Sequence, residues 1–388
     1  MLCETEAPVV STEGEPREHL TLMQFNIRTG FADWQRETMW RHPLVPFGRS
    51  RRAAVAACVR EHSPDFVGTQ EGLSWQLRHM VSDLDNQYAC VGDFRGGPGW
   101  NNNESSAIFY RKSLWQLVDT GDFMLSPTPE VKLSTYEGAS YPNISTWAVL
   151  DPLPTAGNNS NNNNHSNNKN NNHNNNRNNN HNNSNNNSNN SNNNSNWHSR
   201  VLVVSTHLDP YVPAVRTASA RQLRDSIAEL RERHTCQQAF LLGDFNCDFE
   251  EPAYRVLKDA DWVDSWEENS KKRGEEAYPP GSFTYHAFLG PAYEPEGKQV
   301  SDPDHPVDFI WLWGSNNNSN NSSNNSSNNS NNNNDRNSRP ALGGVVLSSE
   351  VDKHRYTSDG RCPDGIFPSD HYALVTKVGM PPPQQQQQ

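Results

Sequence analysis

Residues 239–246 read AFLLGDFN, an apolar run that turns polar abruptly at its end. This layout is typical of a buried strand that stops at the edge of a sheet. Residues 201–209, VLVVSTHLD, repeat it and close on His207 and Asp209. Functional side chains are commonly held on loops at such strand ends by the rigid sheet beneath. The two stretches therefore predict a sheet with a polar site along one edge.

The same layout recurs along the chain. Polar side chains also lie at the ends of further predicted strands. They are Asn26 near the end of 21–27, Gln70 and Glu71 at the end of 63–71, Asp308 near the start of 307–313, and Asp370 and His371 around the start of 371–378. Additional strands are predicted at 105–111, 145–151 and 343–349. Helical spacing between strands appears at Leu73, Leu77, Met80 and Leu84, and again at Leu223, Ile227 and Leu230. Strands with interposed helices predict a layered α/β sandwich.

Two asparagine-rich tracts inflate the 388-residue length. Residues 158–196 contain 28 Asn in 39 positions, residues 315–334 contain 13 Asn in 20, and neither tract has an apolar residue. Without apolar burial they cannot offset the entropy of ordering, so both are predicted to be disordered loops. Each tract lies between two predicted strands, so both are expected to be expanded hairpin loops. The tails 1–19 and 381–388 are also predicted to be unstructured. One domain is expected over 20–380, with about 300 ordered residues.

Charge and hydropathy exclude several classes of protein. The net charge of −12 argues against holding nucleic acid on a broad basic surface. No apolar run approaches the roughly 20 residues of a membrane-spanning helix. The N-terminal residues lack the basic and apolar regions of a secretory signal, so cytoplasmic location is expected, with the nucleus left open. The six cysteines have no metal-type spacing and are expected to be free thiols in a reducing compartment.

The ordered set of motifs resembles the endonuclease/exonuclease/phosphatase superfamily of metal-dependent phosphoesterases. The resemblance runs from Leu20 to about Val378, and its matching segments are QFNIR (24–28), SPDFVGTQE (63–71), SSAIFYR (105–111), VVSTHLD (203–209), LLGDFN (241–246), SFTYHAF (282–288), VDFI (307–310) and PSDH (368–371). It implies a four-layer αββα sandwich of two mixed sheets flanked by helices, with the site at one rim.

Within the superfamily, the chain is similar to a branch of mostly uncharacterised, bacterial-type hydrolases akin to the nocturnin and Angel deadenylases. THLD followed by Arg216, and a Ser-Phe-Thr segment ahead of VDFI, carry this similarity. Asn143 departs from the pattern, because the branch often has Arg there. If that Arg contacts a phosphate, Asn143 changes the affinity or the choice of substrate.

The resemblance implies a metal site formed by Asn26, Glu71 and Asp370. Glu71 is the strongest candidate from the residues themselves, because a carboxylate that follows a buried strand suits a hard divalent ion. A ligand set made only of oxygen atoms favours Mg²⁺, with Mn²⁺ as a substitute, and disfavours Zn²⁺. Whether one or two metals act is left open.

The resemblance also gives roles to five residues around the scissile phosphate. Asp244 would orient or deprotonate the attacking water, and Asn246 would position that water and a phosphate oxygen. His207 and His371 would hydrogen-bond the phosphate. Asp308 would pair with His371, fix its tautomer and favour the imidazolium.

Asp209 and Arg216 are candidate substrate-binding residues with structural alternatives. Asp209 either supports the site from behind or caps the loop before Pro210, and Arg216 either contacts phosphate or lies on a solvated helix face. His286 and His305 are expected to be surface histidines. Four loop aromatics could stack on a base or sugar, although packing against their own domain is the more common outcome: Phe31, Trp34, Trp40 and Trp100.

Four functions compete at this point. The first is a Mg²⁺-dependent 3′–5′ exoribonuclease acting on single-stranded RNA ends. The second is a phosphoesterase on a small phosphorylated metabolite, nucleotide or phospholipid, although no anchoring segment supports a lipid. A non-enzymatic interaction protein and an abasic-site nuclease are disfavoured by the complete motif set and the missing basic patch, respectively. A monomer without a stable protein partner is expected.

Overall fold

The computed structural model describes residues 19–30, 40, 48, 50–96, 103–153, 199–294, 305–313 and 345–379. Both asparagine-rich tracts, the C-terminal tail and almost all of the N-terminal tail lie outside these ranges, as do Phe31, Trp34 and Trp100.

The strands and helices predicted from the sequence are all present in the described part of the chain, together with several that were not predicted. In chain order, the elements are β1 (His19–Asn26), α1 (Arg51–His62), β2 (Phe66–Gln70), α2 (Ser74–Asp83), β3 (Tyr88–Val91), β4 (Ile108–Arg111), β5 (Trp115–Met124), β6 (Ile144–Pro152), β7 (Val201–His207), α3 (Pro213–His234), β8 (Gln238–Asp244), α4 (Pro252–Lys258), β9 (Trp262–Asp264), α5 (Ser265–Arg273), β10 (Asp308–Trp313), β11 (Val345–Asp352), β12 (Tyr356–Thr357), β13 (Gly360–Arg361) and β14 (Ala373–Gly379). A short 3₁₀ turn covers Gly290–Ala292.

The strands form two mixed six-stranded sheets, ordered β11-β14-β1-β2-β4-β3 and β5-β6-β7-β8-β10-β9. A two-stranded hairpin, β12-β13, lies apart from both sheets. In each sheet one parallel pair, β1 with β2 and β7 with β8, is joined through a helix, and the other pairs are antiparallel. The predicted αββα sandwich of two mixed sheets is confirmed.

Three apolar layers hold the sandwich together. Leu22, Phe66, Leu242 and Ile310 belong to the layer between the sheets, and all four are fully buried. Helices α1 and α2 cover the first sheet, and α3 and α4 cover the second. Burying one such side chain contributes roughly 1.5–3 kcal/mol, which makes these layers the main source of stability.

Gly68 allows the sheets to approach closely beneath the catalytic rim. A Cβ atom at this position would lie 2.7 Å from the Cβ of Leu242 on the facing sheet. An alanine there would force the two sheets apart or displace Leu242. The glycine thus sets the spacing at which residues of β2 and β8 meet.

Several elements carry no strong local pattern, and sequence reasoning missed them. Strand β5 is largely half-exposed or exposed, so its apolar alternation is weak. Helix α5 has few buried residues and depends on its Asp264 cap, whose carboxylate accepts from the amides of Trp266 and Glu267. Strands β3 and β9 have only four and three residues.

The strands that flank the two tracts correct one expectation. β6 and β7 are antiparallel neighbours, so the first tract connects the two strands of a hairpin, as expected. The second tract was also expected to be a hairpin loop, and this was wrong: β10 belongs to one sheet and β11 to the other. Local sequence does not reveal that the chain changes sheet there. Among the described residues, no helix is long and apolar enough to cross a membrane.

Candidate active site

Polar residues from both sheets meet at one rim of the sandwich. Asn26 and Gln70 are paired neighbours at the ends of β1 and β2. On the second sheet, Asp244 is the register partner of both His207 and Asp308. The parallel pairs bring the ends of their strands to the same edge, which is why the motifs converge.

Asp308 and His371 form the predicted pair. The Nδ1 atom of His371 lies 2.8 Å from Oδ2 of Asp308, and both side chains are buried. Burial lowers the pKa of His371, but this effect is outweighed by the charge and hydrogen bond of Asp308 and by the charge of Asp244. Together they raise the pKa of His371 to about 10. His371 is therefore an imidazolium at neutral pH, with its Nε2 directed to Asp244 at 3.7 Å.

Asp244 lies at the centre of the site. Its Oδ2 accepts a hydrogen bond from Nδ2 of Asn26 at 2.9 Å and lies 3.6 Å from Nε2 of His207. Burial and the charge of Asp308 raise the pKa of Asp244, against the opposing effect of the two histidines. A raised pKa suits a carboxylate that takes a proton from water.

Glu71 and Asp370 face each other across the guanidinium of Arg28. The Nε atom of Arg28 lies 3.3 Å from Oδ2 of Asp370, and its Nη1 lies 3.8 Å from Oε2 of Glu71. Burial opposes ionisation of Glu71, but Arg28, His207 and two hydrogen bonds lower its pKa to about 2. Sequence reasoning did not give Arg28 a role, although QFNIR placed it two residues after Asn26.

The loop that carries Arg28 is clamped from behind. The buried Arg51 donates hydrogen bonds to the carbonyl oxygens of Ile27, Arg28 and Thr29, and Nε2 of Gln76 donates to the carbonyl of Arg28. Arg28 itself has a left-handed backbone, with φ of 54°. A non-glycine residue holds this conformation at a cost of about 1 kcal/mol or more, which the clamp must offset.

Glu71 and Asn246 adopt the same left-handed backbone conformation, with φ of 61° and 49°. Asn246 donates from its amide to Oδ1 of Asp244 at 3.0 Å and from Nδ2 to the carbonyl of Leu208 at 3.0 Å. Strained backbone at three neighbouring polar residues is typical of functional sites.

The donor set fits a hard divalent cation. Glu71 and Asp370 are ionisable oxygen donors that share one cationic neighbour, and the carboxylates of Asp244 and Asp308 lie close by, with ligand atoms within 4.8 Å of each other. The predicted ligand Asn26 instead turns Nδ2 to Glu71 and Asp244, while its Oδ1 accepts from the amide of Arg28. As placed here, Asn26 orients the two carboxylates.

Arg216 is fully buried, so the alternative of a solvated helix face was wrong. Its guanidinium pairs with Glu251, with Nη2 2.6 Å from Oε1 and Nε 3.1 Å from Oε2. Its Nη1 donates a hydrogen bond to the carbonyl of Asp209. Arg216 therefore joins α3 to Glu251, the N-cap residue of α4, and all three guanidinium nitrogens have partners within the protein.

Asp209 orders the loops beside His207. Its carboxylate accepts from the amide and hydroxyl of Ser140 and from the amides of Tyr211 and Val212. These contacts match the loop-capping alternative. Asn143, the departure from the branch pattern, donates from Nδ2 to the carbonyl of His207 at 2.6 Å.

A buried amide network beneath Asp308 also escaped sequence reasoning. Gln24 donates from Nε2 to Oδ1 of Asp308 at 3.1 Å, and Gln70 donates to Gln24 and to Ser205. The hydroxyl of Thr284 accepts from the amide of Asp308. The signal was available in QFN and TQE, where a glutamine lies on an otherwise apolar buried strand.

Two further expectations concern residues outside the catalytic cluster. His286 was expected at the surface but is fully buried, stacks on Tyr372, and has a pKa that burial lowers to about 3. Trp40 packs against its own domain and is 1% exposed.

A second buried polar cluster joins α1 to the end of β11, where Asp352 contacts Cys58 and His62. The described cysteines are free thiols, as expected: Cys58, Cys90, Cys236, Cys247 and Cys362.

Comparison with solved structures shows the same fold in several other proteins. An endonuclease/exonuclease/phosphatase family protein from Bacteroides thetaiotaomicron is 21% identical with a TM-score of 0.61, covering 94% of this chain and 98% of its own. The mannosyl-6-phosphatase of B. thetaiotaomicron VPI-5482 is 20% identical with a TM-score of 0.59, covering 92% and 99%. Truncated TDP2 from Caenorhabditis elegans is 14% identical with a TM-score of 0.51, covering 93% and 97%.

A search of curated proteins returns no match to this chain. The sequence profile of the Endonuclease/Exonuclease/phosphatase family matches residues 23–384. That match spans all the motifs that carry the resemblance and strands of both sheets. The chain therefore belongs to the Endonuclease/Exonuclease/phosphatase family and is a hydrolytic phosphoesterase, one of a family that generally uses divalent metal ions.

Proposed function

We propose that this enzyme is a Mg²⁺-dependent phosphodiesterase that hydrolyses its substrate with an activated water. One observation carries the proposal: Oδ2 of Asp244 lies 3.6 Å from His207 and 3.7 Å from His371, and Asp308 supports His371 from behind. A base between two phosphate-binding groups is the arrangement that hydrolysis of a phosphoester needs.

Asp244 takes the proton of the attacking water in this account. Its raised pKa favours that transfer, and Asn246 and Asn26 hold its two oxygens in place. The imidazolium of His371 donates a hydrogen bond to a phosphoryl oxygen and stabilises the negative charge that develops there. His207 binds a second phosphoryl oxygen from the neighbouring strand.

Glu71 and Asp370 would hold the divalent cation, with Asn26 orienting Glu71. When bound there, such an ion would neutralise charge on the phosphoryl group and on the leaving oxygen. Oxygen ligands of this kind select Mg²⁺, and Mn²⁺ would substitute for it. Arg28 forms ion pairs with the same two carboxylates, so it would compete with the ion for them. When the ion is bound, Arg28 is a candidate contact for the phosphate.

We propose the 3′ end of single-stranded RNA as the substrate, with 3′–5′ exonucleolytic release of nucleotides. The net charge of −12 supports short or single-stranded substrates over long duplexes. The second candidate, a small phosphorylated metabolite, is supported by the same charge and by the compact phosphate-binding cluster. We further infer from the sequence a cytoplasmic enzyme that acts as a monomer.

A substrate panel tests this proposal. Purified enzyme with Mg²⁺ is incubated with 5′-labelled poly(A) RNA beside phosphorylated sugars and nucleotides. A ladder that shortens from the 3′ end supports the exonuclease. Rapid turnover of a small molecule with intact RNA rejects it in favour of the second candidate. Lack of hydrolysis of every substrate with either Mg²⁺ or Mn²⁺ contradicts both.

A further inference from the structure

Two exposed tyrosines lie side by side at the catalytic rim. Tyr141 and Tyr211 are 40% and 55% exposed, and their ring centroids are 6.3 Å apart. All other aromatic side chains in the described part of the chain are buried or half-buried. Leaving two rings in water forgoes the burial that stabilises aromatic residues, so their exposure suggests a ligand that covers them.

The backbone ties both tyrosines to the strand end that carries His207. Tyr211 follows His207 by four residues, and its amide donates to Oδ1 of Asp209 at 2.9 Å. Ser140, the neighbour of Tyr141, donates to the same carboxylate from its amide at 2.6 Å and from its hydroxyl at 3.0 Å. Asp209 therefore holds the two tyrosine loops together beside the catalytic histidine.

Asn143 connects the loop of Tyr141 to the strand end that carries His207. The residue is 8% exposed, and its Nδ2 donates to the carbonyl of His207 at 2.6 Å. Because Asn143 follows Tyr141 by two residues, this hydrogen bond fixes the loop of Tyr141 beside His207.

The polar groups around the tyrosines favour a flat ring over a sugar. Sugar sites need carboxylates that are available to hydroxyl groups, but the carboxylate of Asp209 already accepts four hydrogen bonds. The carboxylate of Glu104 is paired with Arg95 at 3.0 Å. The guanidinium of Arg95 also lies 5.5 Å from the ring centroid of Tyr141, which adds a cation to the aromatic surface.

We propose that Tyr141 and Tyr211 form a stacking subsite for the nucleobase of a nucleotide whose phosphate lies at His207. This inference rests on the proposed function for the position of the phosphate, and it selects nucleotides over sugar phosphates within that function. Each stacked ring is expected to strengthen binding about tenfold.

Calorimetric titration with AMP, mannose 6-phosphate and inorganic phosphate tests the subsite. The full-length enzyme is used with Ca²⁺ in place of Mg²⁺. We expect AMP to bind at least tenfold more tightly than either of the other two. Tyr141→Ala and Tyr211→Ala should each weaken AMP about tenfold, while the Phe variants retain it. Leu347→Ala, at a side chain of similar exposure (52%) near the opposite end of the sandwich, is the matched control.

Three outcomes overturn the subsite: equal affinity for AMP and phosphate, tighter binding of mannose 6-phosphate, or full AMP affinity in both Ala variants. Circular dichroism of each variant excludes unfolding as the cause of a loss. Hydrolysis of bis-p-nitrophenyl phosphate by the wild-type enzyme is measured in parallel. If it proceeds while AMP fails to bind preferentially, the subsite is wrong and the proposed function stands; if it is absent, the proposed function fails.

Discussion

The guanidinium Nε of Arg28 lies 3.3 Å from the Oδ2 atom of Asp370, at a carboxylate that is expected to hold a metal ion. The same guanidinium reaches Glu71 at 3.8 Å, so one side-chain cation bridges two proposed ligands. Arg51 and Gln76 hold its backbone in place. A cation in this position competes directly with a divalent ion for the negative charge of the site.

Replacing Arg28 should therefore strengthen metal binding. We expect Arg28→Ala to lower the dissociation constant for Mg²⁺ about tenfold, because it removes a positive charge within a few ångströms of the ion. Arg28→Lys should have a smaller effect, since it keeps the charge. Isothermal titration measures the affinity directly, and Arg224→Ala on the exposed face of α3 is the control. Unchanged or weaker Mg²⁺ binding in Arg28→Ala would reject the competition.

The Asp308–His371 pair sets the alkaline limit of activity. The pKa of His371 is about 10 in the presence of Asp308, so the imidazolium persists through neutral pH and is lost only as pH rises toward that value. In Asp308→Asn, burial remains and the supporting charge is gone, so the pKa of His371 falls. We expect kcat at about pH 8 to drop about a hundredfold and the alkaline limb to move to lower pH.

The pH profile of kcat on bis-p-nitrophenyl phosphate checks this shift. Asp151→Asn, in an ion pair with Arg200 at the opposite end of β6, should leave the profile in place. An Asp308→Asn enzyme with the wild-type alkaline limb would mean that another group controls it.

Arg216 is expected to stabilise the fold without contacting substrate. Arg216→Met leaves Glu251 without its partner and should lower the free energy of unfolding by about 2–4 kcal/mol. KM should stay at the wild-type value at temperatures where the variant is folded. Urea denaturation and steady-state kinetics measure the two quantities. A raised KM at unchanged stability would contradict this prediction and would support the phosphate contact that the sequence suggested.

The asparagine-rich tracts should be dispensable for catalysis. The first tract connects β6 and β7 at the ends opposite His207, and the second begins beyond Trp313, opposite Asp308 on β10. Loop length affects closure entropy only logarithmically, so removing both tracts should change the free energy of unfolding by only about 2 kcal/mol. We expect the chain without 158–196 and 315–334 to retain its kcat, measured on bis-p-nitrophenyl phosphate. A large loss would mean that a tract acts at the catalytic rim.

The sequence predicts the sandwich well because its signals are local. An apolar run that ends in a polar turn identifies a strand and its functional end within a few residues, as at His207 and Asp244. Residues whose role depends on distant partners were harder to predict. Arg28 has its role only because Glu71 and Asp370 meet from two distant segments of the chain, and Arg216 pairs with Glu251, which precedes a different helix. The change of sheet after β10 has no local signal at all.

The central claim is that Asp244 acts on water in a metal-dependent hydrolysis. The most direct test compares the wild-type enzyme with Asp244→Asn on bis-p-nitrophenyl phosphate, with and without Mg²⁺. The account predicts Mg²⁺-dependent turnover by the wild type and a loss of about a hundredfold or more in Asp244→Asn, which keeps the shape and removes the base. Wild-type activity that persists without any divalent ion, or an Asp244→Asn enzyme with full activity, would contradict it.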